Sequence, residues 1–116
     1  MPDYHVLGLG NAFSVITKVE VKLWGNELCI SCLYDPSISR QQYQLLFRNT
    51  QEIQWNVHDT DELESPMIGL TGFILGEGKH RKPALITTNV FEISVLYESL
   101  SIQIGSEVRE VLRQTL

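Results

Sequence analysis

Gly8 and Gly10 stand near the start of the chain, in the stretch HVLGLGNAFS. Glycines at this spacing allow a dinucleotide pyrophosphate to approach the backbone when they follow a strand and open a helix. That fingerprint needs a third small residue at the position of Phe13, and an amphipathic strand pattern follows here instead of a helix. The two glycines therefore indicate a bend before the first strand, and no nucleotide cofactor is predicted.

Cys29 and Cys32 have the CxxC spacing of redox and zinc sites. A redox pair of this kind opens a helix, whereas these two residues lie in a strand pattern, where side chains three positions apart face opposite sides of the sheet. His5, His58 and His80 are scattered without the spacing of metal ligands. We expect two free thiols, one in the core and one on the other face, with no metal and no cofactor.

A cluster of carboxylates lies in one polar loop: Asp59, Asp61, Glu62 and Glu64. Carboxylate oxygens bind hard cations, but this loop lacks the glycine and the distal bidentate glutamate of a calcium loop. A solvated acidic loop is the preferred interpretation, and its four carboxylates are also candidate interface residues.

A second loop has the opposite charge and is flanked by glycine and proline: Lys79, His80, Arg81 and Lys82. Four hydrogen-bond donors on such a loop are suited to a phosphate, a lipid headgroup or an acidic partner. An ordinary exposed turn is the favoured interpretation. These four residues are the candidate anion-binding or partner-binding site.

Candidate catalytic residues are few. No nucleophile, base and orienting group occur in a known local signature, and His58 with Asp59 is the nearest approach to an acid–base pair. Neighbours in a strand point apart, so other partners would have to come from distant strands. A small hydrolase or transferase is therefore the weakest of three hypotheses.

Trp24 lies on the side of its strand opposite to Val19, Val21 and Leu23. Exposed aromatic residues are enriched in the centres of protein interfaces, so Trp24 is a candidate interface residue together with the acidic loop. The alternative is that Trp24 covers a second core layer, as in a β-sandwich.

Composition limits the classes of function. The 116 residues suffice for one domain, 1–116, and 43% apolar residues supply a core. A formal net charge of −5 argues against nucleic acid as a partner, and no apolar run is long enough for a membrane span. Two cysteines do not make a disulfide framework, and we expect a cytoplasmic protein.

Most of the secondary-structure elements that must position these residues are predicted to be strands. Alternation over 17–34 around Gly25 and Asn26 predicts a hairpin, and the turn signal Asn49-Thr50 predicts a second one. Further strands are predicted over 67–75, 84–88, 90–97 and 100–104. At the end of the chain, Ser106 suits an N-cap and the apolar spacing of Val108, Val111 and Leu112 predicts a short helix over 106–115.

These elements predict a mainly β protein, an antiparallel sandwich or partly open barrel of about seven to eight strands with one short C-terminal helix. The order of strands followed by a closing helix resembles the pleckstrin-homology-like layout. For function we expect a non-enzymatic protein-interaction module that acts on a protein partner or as a homodimer. The alternative is a β module that binds an anionic small molecule or headgroup through Lys79, His80, Arg81 and Lys82.

Overall fold

The first hairpin forms as the alternation predicts. In the computed structural model, which describes residues 3–58 and 67–116, strand β1 (Ser14–Lys22) pairs antiparallel with β2 (Glu27–Tyr34). Val19 lies opposite Ile30, and Lys22 lies opposite Glu27 at the turn. The apolar residues of β2 that share a face, from Leu28 to Cys32, enter the core.

Seven more strands complete one antiparallel sheet. They are β3 (Gln41–Arg48), β4 (Gln51–Val57), β5 (Ile68–Ile74), β6 (Ala84–Thr88), β7 (Phe91–Leu96), β8 (Ser99–Ile104) and β9 (Glu107–Arg113). The strand order is β4-β7-β6-β5-β1-β2-β3-β8-β9. The prediction of a mainly β, antiparallel fold is confirmed, with nine strands. No helix among the described residues is long and apolar enough to cross a membrane.

The second predicted hairpin, around Asn49, is wrong. β3 and β4 do not pair with each other, because β3 pairs with β8 and β4 pairs with β7. Arg48 lies opposite Ser99, and Gln51 lies opposite Leu96 in the same register. The N–H of Glu98 donates to the Arg48 carbonyl at 3.0 Å. The two pairs of strands therefore form one ladder that bends at a corner, where Asn49 has a φ of 54°.

The bent ladder folds the sheet over a single core. One half consists of β1, β2, β3, β8 and β9, and the other consists of β4 to β7. The halves also join where Val15 pairs with Gly69 and Ile16 pairs with Ile68. Buried side chains from both halves, such as Phe47 and Phe73, belong to one cluster. Since β4 and β9 remain at the ends of the strand order, the arrangement is an open one.

The C-terminal helix predicted over 106–115 is also wrong. This segment forms β9, which pairs with β8 from Ile104↔Glu107 to Ser99↔Arg113. The spacing of its apolar residues fits a helix, but β8 presents an unpaired edge that an extended segment satisfies with ladder hydrogen bonds. Without a closing helix the pleckstrin-homology-like layout is not formed.

A single 3-10 turn, Tyr4–Leu7, covers the region where β1 and β5 separate. The Asp3 N–H donates to the Phe73 carbonyl at 3.1 Å, and the Asp3 carboxylate accepts from the Leu75 N–H at 2.8 Å. Leu7 is fully buried, and its carbonyl accepts a hydrogen bond of 2.7 Å from Arg109 on β9. The N-terminal segment thus caps the core and contacts both halves of the sheet.

Candidate functional site

The turn between β1 and β2 places a tryptophan in solvent. Leu23 and Trp24 have φ angles of 54° and 59°, in the left-handed region, and Gly25 follows with a φ of 95°. Trp24 is fully exposed, and Leu23 and Val21 are mostly exposed beside it. The interpretation that Trp24 covers a second core layer is therefore wrong. We call Val21, Leu23 and Trp24 the apolar tip.

The apolar tip is held in place from the β3–β4 corner. The Thr50 hydroxyl donates a short hydrogen bond to the Gly25 carbonyl, and the Thr50 N–H donates to the Asn26 carbonyl at 3.2 Å. The Asn26 N–H closes the turn on the Leu23 carbonyl at 3.1 Å. The sequence does not identify Thr50, because its contact depends on the β3–β4 corner. The local sequence of that corner is typical of a hairpin turn. The backbone that carries Trp24 is thus fixed although the side chain is free.

The edge strand β4 is a second exposed surface. Trp55 lies opposite Ile93 and Val57 lies opposite Phe91, so both point toward the core side of the sheet. The rings of Trp55 and Phe91 lie 5.0 Å apart with planes inclined by 39°. Trp55 nevertheless remains 46% exposed and Val57 remains 50% exposed. Apolar side chains on the core side of β4 thus reach the rim of the sheet and stay partly in water.

The basic loop follows β5 and includes the 3-10 turn Gly78–His80. Arg81 binds the Glu52 carboxylate of β4 at 3.2 Å, and the His80 imidazole lies 4.0 Å from Glu77. Within residues 3–58 and 67–116, Lys79 and Lys82 have no ion pair. The loop thus offers two cations rather than four to an outside anion.

The acidic loop of the sequence lies outside the described residues. This applies to its four candidate interface residues, Asp59, Asp61, Glu62 and Glu64. Their pairing with the basic loop of a second copy stays a prediction. In the described part of the chain, β4 ends at Val57 and the His58 N–H donates to the Val90 carbonyl at 2.6 Å.

Both cysteines are free and buried. Cys32 belongs to the core, and burial raises the pKa of its thiol to about 12. Cys29 lies opposite Leu46 on the other face of β2, and burial raises the pKa of its thiol as well. Thiols that ionise with difficulty are poor nucleophiles and poor metal ligands. Their placement on opposite faces is the one that the strand spacing predicts.

Three tyrosines and one serine form a buried chain of hydroxyl groups. Tyr43 donates to Ser14 Oγ at 2.8 Å, Ser14 lies 2.6 Å from the Tyr4 hydroxyl, and Tyr4 donates to the Ala12 carbonyl at 3.0 Å. The Ala12 N–H in turn donates to the Tyr34 hydroxyl at 2.9 Å. Burial raises the pKa of Tyr43 far above its ordinary range. Ser14 is fully buried, so the chain anchors the N-terminal segment and presents no nucleophile to a substrate.

A polar groove of about 560 Å³ lies on the outer face of β1, β2, β3 and β8. Hydroxyl and amide groups line it, among them Thr17, Ser31, Gln44 and Gln103. Gln44 donates to the Ser31 hydroxyl at 3.3 Å, so part of this polar surface is satisfied internally. Its one charged lining residue, Lys18, lies 3.3 Å from Glu20. The groove brings no acid, base and nucleophile together.

In the part of the chain that the structure describes, no group of three or more His, Cys, Asp and Glu residues is placed to hold a metal ion. Comparison with known proteins adds no functional information about these surfaces. No family model, no curated protein and no solved structure matches this chain. The apolar tip, the β4 edge and the basic loop are the surfaces of the described residues that bear on function.

Proposed function

We propose that this protein is a non-enzymatic protein-interaction module that binds a protein partner through the apolar tip. The observation that carries the proposal is the fully exposed indole of Trp24 on a backbone in the left-handed region. A residue other than glycine in such a conformation carries about 1–3 kcal/mol of backbone strain. In the free protein no burial of the side chain offsets this strain, because the indole lies in water. A partner that buries the indole offsets this strain.

The properties of tryptophan support this use of the tip. Tryptophan is enriched among the few interface residues that dominate binding energy, because it buries a large rigid surface at little cost in side-chain entropy. Leu23 and Val21 extend the apolar area around Trp24. Thr50 fixes the backbone of the turn, which reduces the ordering that binding requires.

The proposal includes a reducing compartment, the cytoplasm, and self-association as a homodimer. Two buried cysteines that form no disulfide support the compartment. Lys79 and Lys82, which have no ion pair with the described residues, support a contact with an acidic surface. The anion-binding alternative has less support, because Arg81 and His80 already lie beside carboxylates.

Site-specific photo-cross-linking in cells tests the role of the tip. A photo-reactive amino acid at position 24 is compared with the same amino acid at position 38, where Ile38 is 83% exposed on a different loop. We expect a protein adduct that forms at position 24 and not at position 38. The adduct is then identified and its partner is purified.

Binding of the purified partner decides the outcome. We expect Trp24→Ala to weaken binding about tenfold or more, since a buried tryptophan contributes at least that much at an interface centre. Ile38→Ala is the matched control and leaves the affinity unchanged. Equal adducts at both positions, or a Trp24→Ala variant that binds like the wild type, would contradict the proposal.

A further inference from the structure

The two edge strands of the sheet differ in how they are protected from pairing. β9 carries four charged residues in seven, Glu107, Arg109, Glu110 and Arg113. β4 has Glu52 as its one charged residue and contains neither lysine nor proline. Charges and prolines are the usual means by which edge strands avoid pairing with another chain. In this molecule β9 is charged along its length, whereas β4 has its charge and a β-bulge at one end, between Gln51 and Gln54, and is regular and uncharged from Gln54 to Val57.

Within residues 3–58 and 67–116, no strand pairs with the side of β4 that faces away from β7. The His58 N–H donates to Val90, and Val57 lies opposite Phe91. In an antiparallel ladder, successive residues direct their N–H and C=O groups alternately toward and away from the neighbouring strand. Since His58 points toward β7, Val57 and Trp55 direct their backbone groups toward solvent. These groups can receive a further strand.

The sequence of β4 is self-complementary about Trp55. In an antiparallel pair of two copies centred there, Ile53 lies opposite Val57 and both are β-branched apolar residues. Gln54 lies opposite Asn56, so the polar side pairs amide with amide. This register also places the outward backbone groups of Trp55 opposite each other, as a hydrogen-bonded pair requires.

We infer that a second copy of this chain docks on β4, with the two β4 strands antiparallel and the two-fold axis at Trp55. The inference rests on the proposed self-association and is independent of the apolar tip. Each Trp55 exchanges its backbone hydrogen bonds with the other Trp55. The sheets of the two copies become continuous across the axis.

Side chains on the core side of the sheet gain most from this pairing. Each Trp55 already packs on Phe91, so pairing creates a row of four aromatic rings across the axis. The exposed parts of Trp55 and Val57 then become buried. At each end of the row, Arg81 binds Glu52. In the paired dimer this Arg81 lies near His58, at the end of β4 in the other copy.

Cysteine cross-linking tests the register in the full-length protein. Opposed residues of a hydrogen-bonded pair have Cα atoms about 5.5 Å apart, within the range of a disulfide. We expect Trp55→Cys to form a covalent dimer under mild oxidation. Gln54→Cys is the control, because position 54 lies opposite position 56 in this register. The native thiols, Cys29 and Cys32, are buried and do not interfere.

A second pair of variants keeps the test valid if Trp55→Cys folds poorly. Ile53→Cys and Val57→Cys should cross-link when mixed, whereas neither should cross-link alone. Independently, Val57→Lys should raise the dimer dissociation constant about tenfold by charging the edge. Val108→Lys is its matched control, since Val108 is 56% exposed on β9 and should leave the constant unchanged.

The outcomes separate this inference from the proposed self-association. Sedimentation that shows a dimer, without cross-linking of Trp55→Cys or of the mixed variants, overturns the β4 pairing and leaves self-association standing. Cross-linking of Gln54→Cys in place of Trp55→Cys overturns the register. A monomer at every concentration overturns both, while the apolar tip stays open to the photo-cross-linking test.

Discussion

Tyr43 donates its hydroxyl hydrogen to Ser14 Oγ over 2.8 Å, and both residues are buried. Ser14→Ala should lower the free energy of unfolding by about 1–3 kcal/mol, because the buried Tyr43 hydroxyl loses its acceptor. Urea denaturation measures the change. Ser106→Ala, at an exposed position, is the control and should change it by less than about 0.5 kcal/mol. Equal effects of the two substitutions would exclude a stabilising role for the hydroxyl chain.

Stability should fall at alkaline pH. Burial raises the pKa of Cys32 from 9.0 to about 12, and it raises the pKa values of Tyr43 and Tyr97 well above 10. The folded state therefore keeps its protons while the unfolded state loses them, so the stabilisation is complete below about pH 9 and decreases above it. Each such group should contribute a loss of about 1.4 kcal/mol per pH unit.

Urea denaturation at pH 7.5 and at pH 10.5 measures this loss. Cys32→Ala removes one of the groups and should make the decrease less steep than in the wild type. A free energy of unfolding that stays constant up to pH 11 would show that these groups are not desolvated in the folded state.

Relief of backbone strain in the apolar tip should stabilise the protein. Leu23→Asn combined with Trp24→Gly supplies residues that accept positive φ, so the free energy of unfolding should rise by about 1 kcal/mol. Thermal and urea denaturation measure the effect. Ile38→Gly, at a comparably exposed site with no positive φ, should not stabilise. A destabilised double variant would mean that the wild-type side chains hold the turn themselves.

The two thiols should remain free after mild oxidation. Cys29 and Cys32 are buried on opposite faces of β2, so neither can reach the other. Thiol titration should detect little reaction in the folded protein and two thiols after denaturation, with no reductant added. Ser39→Cys, at an exposed position, should add one thiol that reacts at once. Thiols that appear only after reduction, or stoichiometric zinc in the purified protein, would contradict this prediction.

Self-association should depend on salt. The basic loop and the acidic loop occupy the connections on either side of β5, so they should pair between copies, and the dimer should weaken as salt rises from about 0.05 to 0.5 M. Alanine at Lys79, Arg81 and Lys82 should weaken it further in sedimentation. Alanine at Lys18, Lys22 and Arg48 removes the same charge elsewhere and is the control. A dimer indifferent to salt and to the first variant would remove the charged loops from the contact.

Local sequence patterns were sufficient for the β1–β2 hairpin. Alternation from Leu28 to Tyr34 commits one face of β2 to the core, and a shift of one residue would expose it. In β1 the alternation continues to Val21, which stays mostly exposed. The register is therefore encoded in adjacent residues. The same alternation explains why Cys29 and Cys32 lie on opposite faces and why they form no CxxC site.

Tertiary contacts decided the elements whose local patterns are ambiguous. Asn49-Thr50 favours a tight turn, but β3 and β4 find their partners in β8 and β7, far along the chain, and the turn becomes a corner. Residues 107–113 suit a helix by apolar spacing, yet β8 offers an edge whose hydrogen bonds outweigh that weak preference. A short stretch of sequence does not indicate these pairing partners.

The candidate sites also combine features that local sequence indicates with features that depend on the tertiary structure. Residue type alone identified Trp24 and the basic loop, because an indole in a polar hairpin and a run of cations are local features. Only the fold shows that Thr50 holds the turn of Trp24, that Glu52 binds Arg81 and that β4 lies at an edge of the sheet. The strand that lies at the edge of a sheet is determined by how all the other strands pair. Each strand can form hydrogen bonds on two sides, and its partners are often distant in the sequence.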